Sequence, residues 1–206
     1  MAVWTHEDIT VKRCGAQQQQ VDMIVFVGAE STGKSTLAQH LADRLGAGFV
    51  PEIGRFIWEE KQGRLNAGDY VEISERHRAA EDAVVAVESG PYVFVDTNAL
   101  TTLLLGQCFG QVTEPAPPTL LRHADEFHTR YLHHFVCADD IPYEEEPGVR
   151  ENANWRTHIQ RLVLDDLERR AIGFTVLTGT LEERAEKVMQ VLSGIEQDKQ
   201  ITRAAA

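Results

Sequence analysis

A glycine-rich stretch near the start of the chain carries residues suited to binding phosphate. Residues 28–36 have the sequence GAESTGKST and fit the pattern Gly-x-x-x-x-Gly-Lys-Ser. The glycines let the backbone curl so that its N–H groups point at phosphate oxygens, while Lys34 can reach the β- and γ-phosphates and Ser35 can ligate Mg²⁺. A chance match is disfavoured because an apolar run precedes the loop and a helix-like pattern follows it. We predict that ATP is bound by Gly28, Glu30, Ser31, Thr32, Gly33, Lys34, Ser35 and Thr36, together with Mg²⁺.

A second group of polar side chains ends the apolar run VFVDTN, residues 93–98. If this run is a parallel strand, Asp96 lies at its carboxyl end beside the phosphate loop, where it can hold Mg²⁺ through water. The alternative is that Asp96 caps a helix that begins near Asn98, although Thr97 or Asn98 could serve as the cap instead. We predict Ser35 and Asp96 as the metal-binding residues.

Glu52 and Arg55 follow the second predicted strand and are three residues apart. This spacing places both side chains on one face of a helix. In a small-molecule kinase, an acceptor hydroxyl could meet a general base here, with the arginine steadying charge or ribose oxygens. An exposed ion pair between the two side chains is the other interpretation of the same spacing.

A polar segment late in the chain, residues 139–156, has the composition of a lid. It contains six acidic side chains, the arginines Arg150 and Arg156, and the aromatic residues Tyr143 and Trp155. Such a lid would close over ATP, and one arginine would stabilise charge on the transferring phosphoryl group. A solvated acidic loop in which arginine pairs with glutamate explains the composition equally well.

The order of elements predicts how these residues are positioned. Apolar runs that predict strands alternate with segments that predict helices, and the last helix is expected from Leu181 to Leu192. Strands separated by helices form mainly parallel sheets that are covered on both faces. We therefore predict an α/β domain of the P-loop NTPase class over residues 21–196, with a doubly wound, mainly parallel five-stranded sheet and helices on both faces. We expect residues 1–20 to be a flexible N-terminal extension and residues 197–206 a flexible tail.

Composition limits the classes of partner. The formal net charge of −12 argues against binding to nucleic acid or to an anionic membrane surface. The three cysteines are widely spaced, which favours a reducing compartment over a disulfide framework or zinc site. No apolar run approaches the length of a membrane span, and we expect a cytoplasmic protein.

The motifs occur in an order that resembles the ribosylnicotinamide kinase domain of NadR-type NAD regulators. The resemblance covers roughly residues 22–195 and is carried by GAESTGKSTL, PEIGRF, VFVDTNALTT and DDIPYEEEPGVR, followed by a second arginine. It implies a P-loop kinase that uses Mg-ATP to phosphorylate the ribose 5′-hydroxyl of nicotinamide riboside. It also implies that Lys34, Glu52, Asp96, Arg150 and Arg156 are catalytic, and that Glu52, Arg55, Asp96, Asn98 and Tyr143 bind the nucleoside-like acceptor.

The chain departs from the family pattern where a pyridine ring would be enclosed. Pro51 and Ile53 flank Glu52 where the family usually has an aromatic residue, and Tyr143 stands where tryptophan is common. Two other functions fit the motifs: a P-loop kinase for another nucleoside or metabolite, and a nucleotide-dependent ATPase or switch. The acidic composition disfavours phosphorylation of nucleic-acid ends.

Overall fold

The computed structural model describes residues 20–143 and 153–205. Within them, five strands form one sheet in which all neighbouring strands are parallel, in the order β2-β3-β1-β4-β5. The strands are β1 (Asp22–Val27), β2 (Gly48–Val50), β3 (Tyr92–Asp96), β4 (Tyr131–Cys137) and β5 (Phe174–Leu177). The predicted fold class is confirmed.

Helices connect successive strands. They are α1 (Lys34–Leu45), α2 (Ile53–Glu60), α3 (Ala67–Val87), α4 (Ala99–Cys108), α5 (Pro118–Asp125), α6 (Phe127–Arg130), α7 (Ala153–Arg169) and α8 (Leu181–Ala205). Several begin with side-chain caps that the sequence encodes locally. At the start of α3, the Asn66 side chain accepts from the Gly68 N–H and Asp69 accepts from the Asn66 N–H.

Each face of the sheet packs against its own layer of helices. Alternate side chains of β1 point to opposite faces, so Val25 belongs to one core and Phe26 to the other. The Val25 face packs against helices α2 to α7, and the Phe26 face packs against α1 and α8. Because both faces of the sheet bury apolar side chains, the central strands appear in the sequence as continuous apolar runs.

The topology brings the loops after β1 and β3 together. The two strands are neighbours in register, with Val25 opposite Val95 and Phe26 opposite Asp96. The phosphate loop therefore begins one residue beyond Val27, beside the carboxyl end of β3. Ligands of open parallel sheets bind at this edge, at the point where strand order changes direction.

The last helix is longer than the apolar pattern predicts. We expected α8 to end at Leu192 and a flexible tail at 197–206, but the helix continues to Ala205. Beyond Leu192, the helix is joined to the sheet by an ion pair rather than by apolar packing. Lys199 Nζ lies 2.6 Å from Asp22 Oδ2 at the start of β1, and this long-range contact has no signature in the helix's own sequence.

Two expectations concern residues that the structure describes only in part. The N-terminal extension lies outside the described residues except for Gln20, and so do residues 144–152 of the predicted lid. Among the described helices, none has both the length and the apolar composition needed to cross a membrane.

Candidate active site

The phosphate loop has the backbone conformation that its glycines were expected to provide. Gly28 and Gly33 have φ angles of +135° and +80°, and Ser31 also lies in the left-handed region at 53°. The end of β4 packs tightly against the loop, because a Cβ atom on Gly28 would lie 2.7 Å from the Cys137 carbonyl oxygen. A side chain at position 28 would therefore clash with the backbone of β4.

The side chain of Lys34 folds back onto the phosphate loop. Its Nζ donates to the Ala29 carbonyl oxygen at 2.7 Å, and the Thr32 hydroxyl donates to the same oxygen at 2.8 Å. Lys34 also begins α1, so the unpaired N–H groups of the first helical turn lie next to its ammonium group. A helix N-terminus and a lysine at the end of a curled loop form an anion site suited to phosphate.

Ser35 and Asp96 meet across the loop. The Ser35 hydroxyl donates to Asp96 Oδ2 at 2.5 Å, while Asp96 Oδ1 is buried and accepts no hydrogen bond from any residue that the structure describes. Mg²⁺ favours hard oxygen ligands and is usually held by one or two protein groups plus substrate phosphates. A hydroxyl beside an unpartnered carboxylate oxygen fits that ion, although within the described residues no three His, Cys, Asp or Glu side chains cluster as metal ligands.

The capping role that the sequence left open for Asp96 belongs to Asn98, and the metal role of Asp96 stays a prediction. Asn98 is the N-cap of α4, since its Oδ1 accepts from the Thr101 N–H at 2.9 Å. Asp96 is therefore not needed as a cap. Between them, Thr97 has a φ of +68°, a strained conformation for a β-branched residue and one that occurs at functional sites. The buried Asn98 Nδ2 has no hydrogen-bond partner, so a donor remains available next to the site.

Glu52 and Arg55 do not form the ion pair that their spacing allows. Arg55 Nε lies 3.0 Å from Glu59 Oε1 instead. Glu52 is half-buried as a residue, and burial of its carboxyl raises its pKa above 4.5. The positive charge of Lys34 opposes this rise and the negative charge of Asp96 adds to it, so these three groups lie within electrostatic reach of one another.

The lid residues that the structure describes lie next to the phosphate loop. Arg156 is buried and donates to the Ile141 carbonyl oxygen at 2.9 Å, and no described residue accepts a hydrogen bond from its Nε. Its guanidinium lies 5.7 Å from the centre of the Tyr143 ring, whose hydroxyl is 3.4 Å from Glu30 Oε1. Tyr143 therefore contacts the phosphate loop, and its role in binding the acceptor stays a prediction. Arg150 lies outside the described residues.

With this geometry established, comparison with known proteins identifies the family. A family model described as an AAA domain matches residues 23–184. The chain belongs to the AAA domain family. A search of curated proteins found no significant match.

Solved structures that resemble this AAA domain include NadR proteins and two nucleoside or nucleotide kinases. A NadR protein in complex with NAD and AMP-PNP has a TM-score of 0.69 and 20% identity, with coverage of 85% of this chain and 50% of the NadR chain. A NadR protein in complex with NR gives 0.67 and 19%, with coverage of 84% and 51%. Our chain thus spans about half the length of these NadR chains, and this likeness supports the fold.

Two smaller kinases match over nearly their whole length. Thymidylate kinase from Ehrlichia chaffeensis has a TM-score of 0.58 and 16% identity, with coverage of 84% of this chain and 98% of the kinase. Deoxyadenosine kinase from M. mycoides gives 0.57 and 11%, with coverage of 84% and 99%. This AAA domain therefore has a P-loop NTPase α/β fold and shares it with these kinases.

Sequence inspection missed two buried residues that contact the phosphate loop of the AAA domain. Gln160 of α7 accepts from the Ala29 N–H at 2.8 Å, and Arg184 of α8 donates to the Thr32 carbonyl oxygen at 2.6 Å. Gln160 follows Arg156 by one helical turn, which is a weak signal that it shares the same face. No local signal distinguishes Arg184 from other arginines at the start of a helix.

Proposed function

We propose that this chain is an ATP-dependent kinase that phosphorylates the ribose 5′-hydroxyl of nicotinamide riboside. One observation carries the proposal: Ser35 donates to Asp96 while the other Asp96 oxygen stays unpaired, within electrostatic reach of Lys34 and Glu52. The Lys34 ammonium, the Ser35–Asp96 pair suited to Mg²⁺ and the Glu52 carboxyl group thus lie together at the carboxyl end of the strands. Phosphoryl transfer needs these groups more than it needs covalent catalysis.

Lys34 and the loop backbone bind the phosphates in this mechanism. When phosphate enters, the Lys34 ammonium exchanges the Ala29 carbonyl oxygen for phosphate oxygens and offsets their negative charge. Ser35 and Asp96 would hold Mg²⁺, which supplies charge neutralisation when bound. No described residue accepts a hydrogen bond from the buried Arg156 Nε. Arg150 is the second arginine that we predict in the lid. We propose that these arginines stabilise charge on the transferring group.

Glu52 is the candidate base for the acceptor hydroxyl. Within the described residues, no hydrogen bond reaches its carboxylate, so the group is free to accept one from a substrate. The raised pKa brings its basicity closer to neutral pH, which improves a general base. Asp96 is the alternative base, while Arg55 and the unpaired Asn98 amide are candidate donors to ribose oxygens.

The choice of nicotinamide riboside rests on the order of the sequence motifs and on the fold. The phosphate loop, the Glu-x-x-Arg segment and the Asp-Thr-Asn strand end follow one another as in the ribosylnicotinamide kinase domain of NadR-type proteins. The NadR likeness in fold is consistent with that assignment. On this proposal, the chain acts in NAD salvage.

A second candidate is a kinase for a different nucleoside. Pro51 and Ile53 flank the proposed base with aliphatic side chains, which offer no aromatic face on which a pyridine ring could stack. This observation does not indicate which nucleobase or which sugar the acceptor carries. An ATPase or switch is the alternative outside the kinases, and it predicts turnover without any acceptor.

The test is ATP consumption by the purified chain with Mg²⁺, measured with and without nicotinamide riboside and with a panel of nucleosides. Lys34→Ala provides the blank, and Glu60→Gln, which alters only an exposed ion pair with Arg76, provides the matched control. We expect consumption to depend on nicotinamide riboside, with nicotinamide mononucleotide formed in equal amount. Stimulation by another nucleoside alone would replace the acceptor. Acceptor-independent turnover that Lys34→Ala abolishes would overturn the kinase proposal.

A further inference from the structure

Gln160 connects the phosphate loop to the end of β4. Its Oε1 accepts from the Ala29 N–H at 2.8 Å, and its Nε2 donates to the Cys137 carbonyl oxygen at 3.0 Å. One partner can only donate and the other can only accept, so the orientation of the amide is fixed by the backbone. Gln160 is 5% exposed, and water cannot readily replace either bond.

Arg184 holds the other end of the same loop. Its Nη1 donates to the Thr32 carbonyl oxygen at 2.6 Å, its Nε to Gly179 at 3.0 Å and its Nη2 to Ala138 at 3.2 Å. It also forms an ion pair with Asp140, which in turn accepts from the Gly179 N–H at 2.7 Å. A single guanidinium that is 3% exposed therefore joins the phosphate loop to the loops after β4 and β5.

These two contacts leave the phosphate-binding groups available. Gln160 uses only the Ala29 N–H and Arg184 uses only the Thr32 carbonyl, so neither side chain occupies the N–H groups of residues 30–35. Meanwhile Lys34 binds the Ala29 carbonyl and must leave it to reach phosphate. Side chains from α7 and α8 thus hold the loop backbone at Ala29 and Thr32, while the Lys34 side chain can move to bind phosphate.

We propose that Gln160 and Arg184 are positioning residues that preorganise the phosphate loop for nucleotide, an inference that rests on the proposed nucleotide site. A loop that is already curled loses less conformational freedom on binding, so its affinity for phosphate is higher. Gln160 lies one helical turn from Arg156 on α7, so the same contact fixes the lid arginine relative to the loop. The acceptor site, on the side of β2 and α2, is not touched by either contact.

The test compares Gln160→Met and Arg184→Met with matched core variants. Val163 and Val188 lie about one turn further along the same two helices and are buried, and their apolar side chains cannot hydrogen-bond to the loop, so Val163→Ala and Val188→Ala serve as the controls. The affinity for Mg-ATP is measured by calorimetry, and KM is measured separately for ATP and for the acceptor. Hydrogen exchange of the peptide covering residues 29–35 is measured without nucleotide.

We expect Gln160→Met and Arg184→Met each to weaken ATP binding by about tenfold or more, because each leaves buried backbone groups unpaired. KM for the acceptor stays unchanged, and exchange of residues 29–35 becomes faster. The core variants lower the melting temperature without either effect. Equal ATP affinity and equal exchange in the two Met variants would overturn the inference, as would equal changes in the core variants.

Two further variants keep the test decisive if methionine prevents folding. Gln160→Glu retains an acceptor for the Ala29 N–H but cannot donate to Cys137 when ionised, and Arg184→Lys retains charge but cannot reach all the carbonyls at once. Both are expected to fall between wild type and the Met variants, and wild-type behaviour of both would contradict the inference. A wild-type chain that fails to bind ATP would contradict the proposed function, and the exchange rates alone would then decide whether these residues fix the loop.

Discussion

Two glutamates, Glu52 at the start of α2 and Glu81 within α3, are both desolvated, yet their surroundings shift their pKa values in opposite directions. Glu52 follows β2 at the carboxyl edge of the sheet, and burial raises its pKa. Glu81 lies next to Tyr131, the first residue of β4, at the opposite edge. Burial would also raise the pKa of Glu81, but His77, Arg130 and Tyr131 outweigh that effect and lower it.

Hydrogen bonding accounts for the difference. Glu81 is fully buried, and it accepts from Arg130 Nε and from the Tyr131 hydroxyl, both at 2.5 Å. No described residue donates a hydrogen bond to the Glu52 carboxylate, and the positive charge that lowers its pKa most is that of Lys34, which phosphate would also attract. A buried carboxylate with all partners stabilises the fold, whereas one without partners is available for chemistry.

The largest expected effect is on activity at Glu52. Glu52→Gln keeps the shape of the side chain but removes the proton acceptor, so we expect the rate of phosphoryl transfer to fall by about 10²-fold or more. Nucleotide affinity should remain close to that of the wild type. Steady-state kinetics together with calorimetry measures both quantities. Full activity in Glu52→Gln would transfer the role of base to Asp96.

The next effect is on stability at Glu81. Glu81→Gln leaves the Arg130 charge with only Asp82 as its remaining acidic partner, and we expect the free energy of unfolding to fall by roughly 3 kcal/mol. Activity per folded molecule should not change, because the cluster lies at the edge of the sheet opposite the site. Denaturant titration and the rate at saturating substrate test this prediction. A loss of rate in folded Glu81→Gln would show that the two edges are coupled.

A smaller effect is the pH dependence of stability that Glu52 produces. A carboxyl whose pKa is raised on folding binds more protons in the folded state than in the unfolded state, so stability falls as pH rises from 4.5 through the raised value. Glu52→Gln does not titrate. Its melting temperature should therefore exceed that of the wild type at neutral pH, and the difference should vanish below 4.5. Melting curves at several pH values measure it, and a lower melting temperature at neutral pH would contradict the assignment.

The smallest effect serves as the reference for the comparison. Glu60 is exposed and lies 3.3 Å from Arg76, so Glu60→Gln removes a surface ion pair. Such pairs contribute about 0–1 kcal/mol. We expect neither the rate nor the denaturation midpoint to change measurably. A large loss in either would mean that removing any carboxylate charge is sufficient to cause it. Burial and hydrogen bonding would then not explain the effects expected at Glu52 and Glu81.

The sequence was sufficient to predict features that depend on residues close together in the chain. The phosphate loop is encoded by glycines and by a lysine and a serine at fixed spacing, so Gly28, Lys34 and Ser35 could be named in advance. Asp96 could be placed because parallel strands present their carboxyl ends at one edge. Whether Asp96 capped α4 could not be decided from the sequence, since that depended on the conformation of Asn98, and its metal role stays a prediction.

Contacts between distant residues were the part that could not be predicted. Gln160 and Arg184 bind loop residues 131 and 152 positions away, and neither belongs to a recognisable motif. Arg55 lies close enough to Glu52 for its charge to lower the pKa of that carboxyl, but the sequence could not show that its ion pair is with Glu59. The last turns of α8 are held to β1 by Lys199 rather than by an apolar stripe.

The sequence by itself determined the alternation of strands and helices, the curled phosphate loop and the side chains that could bind phosphate and metal, because these depend on local backbone preferences and periodicity. Only the tertiary structure decided which carboxylates are paired and which side chains hold the loop from outside. Those properties depend on burial and on hydrogen bonds between residues far apart in the chain. The same glutamate side chain is therefore hydrogen-bonded to Arg130 and Tyr131 at position 81, whereas at position 52 no described residue donates a hydrogen bond to it.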